Sequence, residues 1–213
     1  MRATTLVCGG VEQCTADYAI HRLTFPFYSI EYVARGRGTV RLDGHPHELL
    51  PGRLFAYGPG VAHDITGNPT DALVKYFVDF TGTNALELLR GCKLLPGRVT
   101  QIFPPDAVTA IFDELIQSGQ RGGTAGTELC GKLLECLALK IASSRAPLTG
   151  VETLAFTTYQ DCRRHIDAHF LRLRTLEQIA AELQGYDPQA LRAADVNQFL
   201  ARLVEPVTAV EDV

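Results

Sequence analysis

Three histidines and a carboxylate, His45, His47, His63 and Glu48, are the residue types in this chain best suited to holding iron, manganese or zinc. Their spacing is poor for that purpose. His-x-His in a strand puts both rings on one face, but His45 directly follows Asp43-Gly44 and Pro46 separates the pair, which places them at an exposed hairpin end. Glu48 adjoins His47, so alternation sends it to the opposite face. No metal or other cofactor is assigned. The chain has no G-x-S-x-G, H-E-x-x-H, P-loop or dinucleotide signature. Gly36-Arg37-Gly38 lacks the third glycine and following helix of a phosphate loop, and reads as a bend between strands. No catalytic residue is assigned, and the chain is read as a non-enzyme.

The elements that position these residues change character along the chain. From about Ile20 to Thr81, short apolar runs alternate with turn residues: Asp43-Gly44, Pro51-Gly52, Pro59-Gly60 and Asn68-Pro69. Asp-Gly between β-rich runs predicts a type I′ hairpin, and several such strands make a sandwich or barrel. After Gly97 the period lengthens. Val108, Ile111, Phe112, Leu115 and Ile116 form one helical face, Gly119 to Gly126 breaks it, and a second helix is expected over Thr127 to Ser144. That helix carries Cys130, Leu134, Leu137 and Ile141 on one stripe, with Leu129, Leu133 and Cys136 beside it. Such a wide arc fits a helix that covers its own domain and also meets a second copy in a two-fold homodimer; an ordinary core helix explains the same period. The dimer reading rests on Leu129, Leu133, Leu134, Leu137 and Ile141.

Arg145 to Gly150 reads as a hinge. Beyond it, Tyr159 to Phe170 is amphipathic, and Thr175 caps T-L-E-Q-I-A-A-E-L, which Gly185 stops. Asp187-Pro188 starts a third helix to about Leu203. The organisation is α+β: residues 1–104 a strand-rich domain, 105–146 a helical dimerisation segment, 147–158 a linker and 159–213 a helical domain.

Composition excludes several classes. With 46% apolar and 21% charged residues the 213-residue chain should fold rather than stay disordered, and a net charge of −4 argues against a surface built wholly to grip phosphates. Six cysteines without a C-x-x-C pair, an N-terminus without an apolar signal region, and no run of about 18 apolar residues point to a cytoplasmic protein that makes no membrane contact.

G-R-G, D-G, L-L-P-G-R-L-F, P-G-V-A-H and V-D-F-T-G, followed by two helices and then C-R-R-H-I-D-A-H-F and T-L-E-Q-I-A-A-E-L, resemble in that order the AraC/XylS family of transcription regulators. The resemblance covers Ile20 to about Leu191. It implies a cupin-like barrel of the double-stranded β-helix type that binds a small effector, often a sugar, dimerisation through helices, and two helix-turn-helix units that contact DNA. It places a ligand-contacting arginine at Arg22, and a polar and an aromatic pocket residue at Lys75 and Phe77. His63, at the P-G-V-A-H corner, either lines the same mouth or caps a turn.

The 55 residues from Tyr159 to Val213 hold about three helices at typical lengths, against the seven that the resemblance implies, so the DNA-reading domain is expected to be partial. Its recognition helix would start at Pro188 and offer Arg192, Asn197 and Gln198 to DNA. From Tyr159 onward there are six arginines and no lysines against nine acidic residues, a balance of 6 − 9 = −3, so DNA binding should be weak or lost. Two functions remain: an effector-sensing, dimerising regulator, or a standalone small-molecule-binding or metal-dependent cupin with a helical appendage.

Overall fold

The computed structural model describes residues 4–104 and 106–146, with residues 165, 166, 168, 169, 171, 172 and 182 beyond them. Contacts divide the chain into two units, Met1–Pro147 and Leu148–Val213. The first contains β1 (Thr4–Gln13), β2 (Ala19–Arg22), β3 (Tyr28–Arg35), β4 (Gly38–Leu42), β5 (His45–Leu49), β6 (Arg53–Tyr57), β7 (His63–Gly67) and β8 (Val74–Gly82). Then come α1 (Ala85–Gly91), β9 (Arg98–Ile102), α2 (Thr109–Arg121), α3 (Gly123–Ser144) and β10 (Arg145–Ala146).

Every strand pairing is antiparallel, and the strands sort into two sheets, β1-β8-β3-β6-β9-β10 and β2-β7-β4-β5. Turn chemistry fixes the register. Asp43 and Gly44 have φ of 46° and 82°, the pair of positive values that a type I′ turn requires, and they set Leu42 opposite His45. The bend between β3 and β4 turns at Gly36, where a Cβ would lie 2.0 Å from the Ala72 carbonyl oxygen.

Alternation gives the larger sheet two faces. On one, Ile30, Tyr32, Leu54, Ala56, Val78 and Phe80 pack with Leu89 of α1, Phe112 and Leu115 of α2, and Leu134, Leu137 and Ile141 of α3. On the other, Val33, Phe55 and Tyr57 pack with Val40, Leu42, Leu49 and Ile65 of the smaller sheet. The first unit is thus sheet-rich and antiparallel, with helices covering one face of one sheet.

Several elements differ from the sequence reading. A strand precedes Ile20: β1 is held by pairing along the length of β8, and Gly9-Gly10 interrupts the alternation that would have marked it. The helical break is far shorter than Gly119 to Gly126. It is confined to Gly122 and Gly123, both with positive φ, while Gly119 and Gly126 lie inside helices where their missing side chains admit Leu6 and the Ser118 carbonyl oxygen. The broad apolar arc of α3 is also divided. Cys130, Leu134, Leu137 and Ile141 are buried in the chain's own core, Leu133 is half-buried, and Cys136, Leu129 and Leu139 are exposed, the last two at 42% and 72%. Leu134, Leu137 and Ile141 therefore offer no free surface to a second copy.

Among the described residues, no helix is long and apolar enough to cross a membrane. In the second unit, Glu182 accepts from Arg172 at 2.6 Å and pairs with His165 at 2.9 Å, and these two partners hold its carboxyl below the usual range. The His165 and His169 rings meet edge to face.

Candidate functional site

A polar stripe runs through the interior between the two sheets, and period-two alternation places it there. On β3, Ser29 and Glu31 share the face of Val33; on β8, Lys75, Phe77 and Asp79 lie opposite the face of Val78 and Phe80; on β6, Tyr57 shares the face of Phe55. Register sets Ser29 opposite both Tyr57 and Asp79, and Glu31 opposite Phe77.

Lys75 is the centre of this stripe. Its Nζ lies 2.6 Å from Glu12 Oε2 and 2.7 Å from Glu31 Oε2, and both Lys75 and Glu31 are 2% exposed. The Tyr57 hydroxyl donates to Glu31 Oε1 at 2.6 Å, and the Tyr18 hydroxyl donates to Glu12 Oε2 at 3.0 Å. Lys75 Nζ also stands 5.4 Å from the Tyr18 ring centre and 5.8 Å from that of Phe77. Next to this cluster, Tyr57 stacks on His63 with centroids 3.8 Å apart, and Phe25 meets both rings edge on. Arg22 lies over Phe25 at 5.1 Å and is opposite His63 in the β2–β7 register.

Burial and pairing decide the charges. Burial alone would lower the Lys75 ammonium, but the Glu31 charge and hydrogen bonds to Glu12 and Glu31 outweigh it and hold the group well above its ordinary value. For Glu12, burial raises the carboxyl, and the Lys75 hydrogen bond and charge overcome that and lower it. Burial, then the Glu31 charge and hydrogen bond, push the Tyr57 phenol far up, so it stays a donor. Burial keeps His63 below its ordinary value and hence neutral near pH 7.

The protonation of His63 follows from its hydrogen bond to the main chain. Its Nδ1 faces the Val61 carbonyl oxygen at 3.4 Å, which can only accept, so Nδ1 carries the hydrogen and Nε2 is a bare acceptor. Nε2 is buried without a hydrogen-bond partner, as is Asp79 Oδ1, while Asp79 Oδ2 accepts from the Cys8 thiol at 3.3 Å. Burial and Asp79 push that thiol up to about 11. Ser29 Oγ, in the same stripe, is likewise buried without a hydrogen-bond partner, and buried acceptors of this kind suit a molecule that brings hydroxyl or amino donors.

The structure brings Arg22, His63, Lys75 and Phe77 into this one region. His45 and Glu48 are exposed at the hairpin, and among the described residues no three His, Cys, Asp or Glu side chains are grouped to hold a metal ion. Arg192, Asn197 and Gln198 lie outside the described residues. Sequence reasoning missed Glu12, Tyr18, Phe25, Ser29, Glu31, Tyr57 and Asp79. For three of them a signal existed: Ser29 and Glu31 are two apart in the otherwise apolar Y-S-I-E-Y-V-A, and Asp79 extends the i, i+2 series of Lys75 and Phe77.

The family model described as AraC-like ligand binding domain matches residues 8–135, a span that contains the whole interior network. A comparison with curated proteins gave no match. Among solved structures, the plu4264 protein from Photorhabdus luminescens is similar at 15% identity, with 40% of this chain and 71% of that chain covered and a TM-score of 0.33. KdgF from Halomonas sp. is similar at 19% identity, with 36% and 76% covered and a TM-score of 0.31. A cupin protein from Bacteroides fragilis is similar at 14% identity, with 40% and 71% covered and a TM-score of 0.31.

Proposed function

The chain belongs to the AraC-like ligand binding domain family, and on that premise we propose that it is an effector-sensing, dimerising regulator of the AraC type whose effector is a sugar or a related polyhydroxy molecule. The observation that carries this reading is the pair of buried acceptors, His63 Nε2 and Asp79 Oδ1, beside the donor–acceptor cluster of Lys75, Glu31 and Tyr57. Hydroxyl groups fill acceptors and donors alike, and the Tyr57, Phe25 and Phe77 rings supply flat apolar faces for the carbon-bound hydrogens of a sugar ring. The role is binding without catalysis. Arg22, over Phe25 and opposite His63, stands at one side of this effector site.

Dimerisation uses the outward part of α3, where Leu129 and Leu139 are exposed and Leu133 is half-buried. DNA contact by this chain is weak, because the segment from Tyr159 onward has a balance of 6 − 9 = −3. A thermal-shift screen of neutral sugars, polyols and sugar acids tests the effector assignment. A ligand at 100 times its Kd adds about 2.7 kcal/mol of stability, a readily measured rise in melting temperature. The rise should vanish in Asp79→Ala. If no polyhydroxy compound shifts the wild-type protein, or the variant responds equally, the assignment fails.

A further inference from the structure

A second candidate site lies on the first unit and shares no residue with the network between the sheets. A cleft of about 460 Å³ is lined by Arg90, Lys93, Leu95, Arg98, Val99 and Arg145. Four of these six side chains are cationic and none is acidic, in a chain whose net charge is −4. The last turn of α1 supplies Arg90, the turn after it Lys93 and Leu95, β9 Arg98 and Val99, and β10 Arg145.

The cations differ in how they are held. Arg90 pairs with Glu87 on its own helix, and Arg145 Nε donates to Thr100 Oγ1 at 3.0 Å, which anchors its guanidinium at the cleft. Lys93 and Arg98 have no ion pair among the described residues. Of the cleft's cations, Arg98 also acts on a neighbouring group. His47 is held below its ordinary value first by burial and then by the charges of Arg53, His45 and Arg98. Like charges gathered around one cleft repel one another, and an anion between them turns that repulsion into attraction. Leu95, 39% exposed, and Val99 give one wall an apolar surface. The volume suits one small molecule.

We propose that this cleft binds an organic phosphate, a small molecule with two or more phosphate charges on a carbon skeleton: the phosphates lie among Lys93, Arg98 and Arg145, and the skeleton lies against Leu95 and Val99. The proposal does not depend on what binds between the sheets.

Titration calorimetry of the full chain at low salt, with ADP and with inorganic pyrophosphate as probes, tests it. ADP should bind more tightly than pyrophosphate, and added salt should weaken both. Lys93→Gln with Arg98→Gln should weaken ADP by at least about tenfold, because two unpaired charge partners are lost. Arg121→Gln on α2, an exposed cation away from the cleft, should leave binding unchanged. The proposal is overturned if neither probe binds the wild-type chain, or if the double variant binds ADP as the wild type does. Equal affinity for pyrophosphate and ADP would remove the skeleton's contact with Leu95 and Val99. Duplex DNA that binds through Lys93 and Arg98 and is not displaced by ADP would assign the cleft to nucleic acid instead.

Discussion

Lys75 stands between two carboxylates, one of them on the nearly inaccessible Glu31, so its removal leaves a buried charge without its partner. Lys75→Met should destabilise the fold by about 3–5 kcal/mol in urea titration, the cost of breaking a buried ion pair from one side. Adding Glu31→Gln should restore part of that loss, since the neutral amide still accepts from Tyr57 and no longer needs a cation; a double variant no more stable than Lys75→Met would show that charge is not the cause. His63 gives a pH signature. Its folded pKa is lowered by burial, so below about 6.5 the unfolded chain binds more protons than the folded one. The stability from keeping His63 neutral is therefore present above that pH and is lost as pH falls through it. In a His47→Gln background, which removes the other lowered imidazole, His63→Gln should flatten the decline in melting temperature between about pH 7 and pH 5. An unchanged slope would exclude His63 as the titrating group. At this scale the AraC/XylS resemblance pointed to Lys75 and Phe77, and their two-residue spacing put both on one face of a strand. Glu12 and Tyr57 were hidden because the strands that carry them meet β8 and β3 only after long-range pairing, which no local period reports.

Turns and glycines carry the clearest element-scale tests. Gly44 has φ of 82° with nothing within 4 Å of the Cβ position, whereas at Gly36, φ 78°, a Cβ would sit 2.0 Å from the Ala72 carbonyl oxygen. Gly44→Ala should therefore cost only the backbone penalty of about 1–2 kcal/mol. Gly36→Ala adds a clash with main chain and should cost about 3 kcal/mol or more, measured by thermal unfolding. Similar losses at both positions would mean that the β3–β4 bend relaxes easily. The Asp43-Gly44 hairpin was legible because one dipeptide and two flanking runs determine it. Neither β1 nor α1 was: β1 has glycines where alternation should show, and α1 spans only Ala85–Gly91, too short for a helical period to stand out from its surroundings. The extent of α3 was read nearly correctly, but the direction of its faces was not, because period alone does not say which stripe meets the sheet.

The chain combines a sheet-rich unit of the AraC-like ligand binding domain family with a segment from Tyr159 onward whose charge balance is negative, and both assembly and DNA contact can be tested in solution. On the dimer reading, Leu129→Asp with Leu139→Asp should leave the fold intact and shift sedimentation to a monomer, since both side chains are exposed. Leu134→Asp should instead unfold the first unit, because Leu134 is fully buried in its core. A dimer that persists in the double variant would move the interface elsewhere. DNA binding follows from charge. Each phosphate neutralised by a cation lowers log K by about 0.9 per decade of salt, so a segment with six arginines among nine acidic residues can make few such contacts and should show a shallow slope and weak affinity. Fluorescence anisotropy with duplex DNA across a salt series measures both quantities. Nanomolar binding at physiological salt would show that arginines such as Arg192 are gathered on one face away from the acidic residues, and that net charge is a poor guide to this unit. Micromolar or weaker binding, with a slope set by only a few phosphates, would agree with the few cations that the segment from Tyr159 onward can offer to DNA.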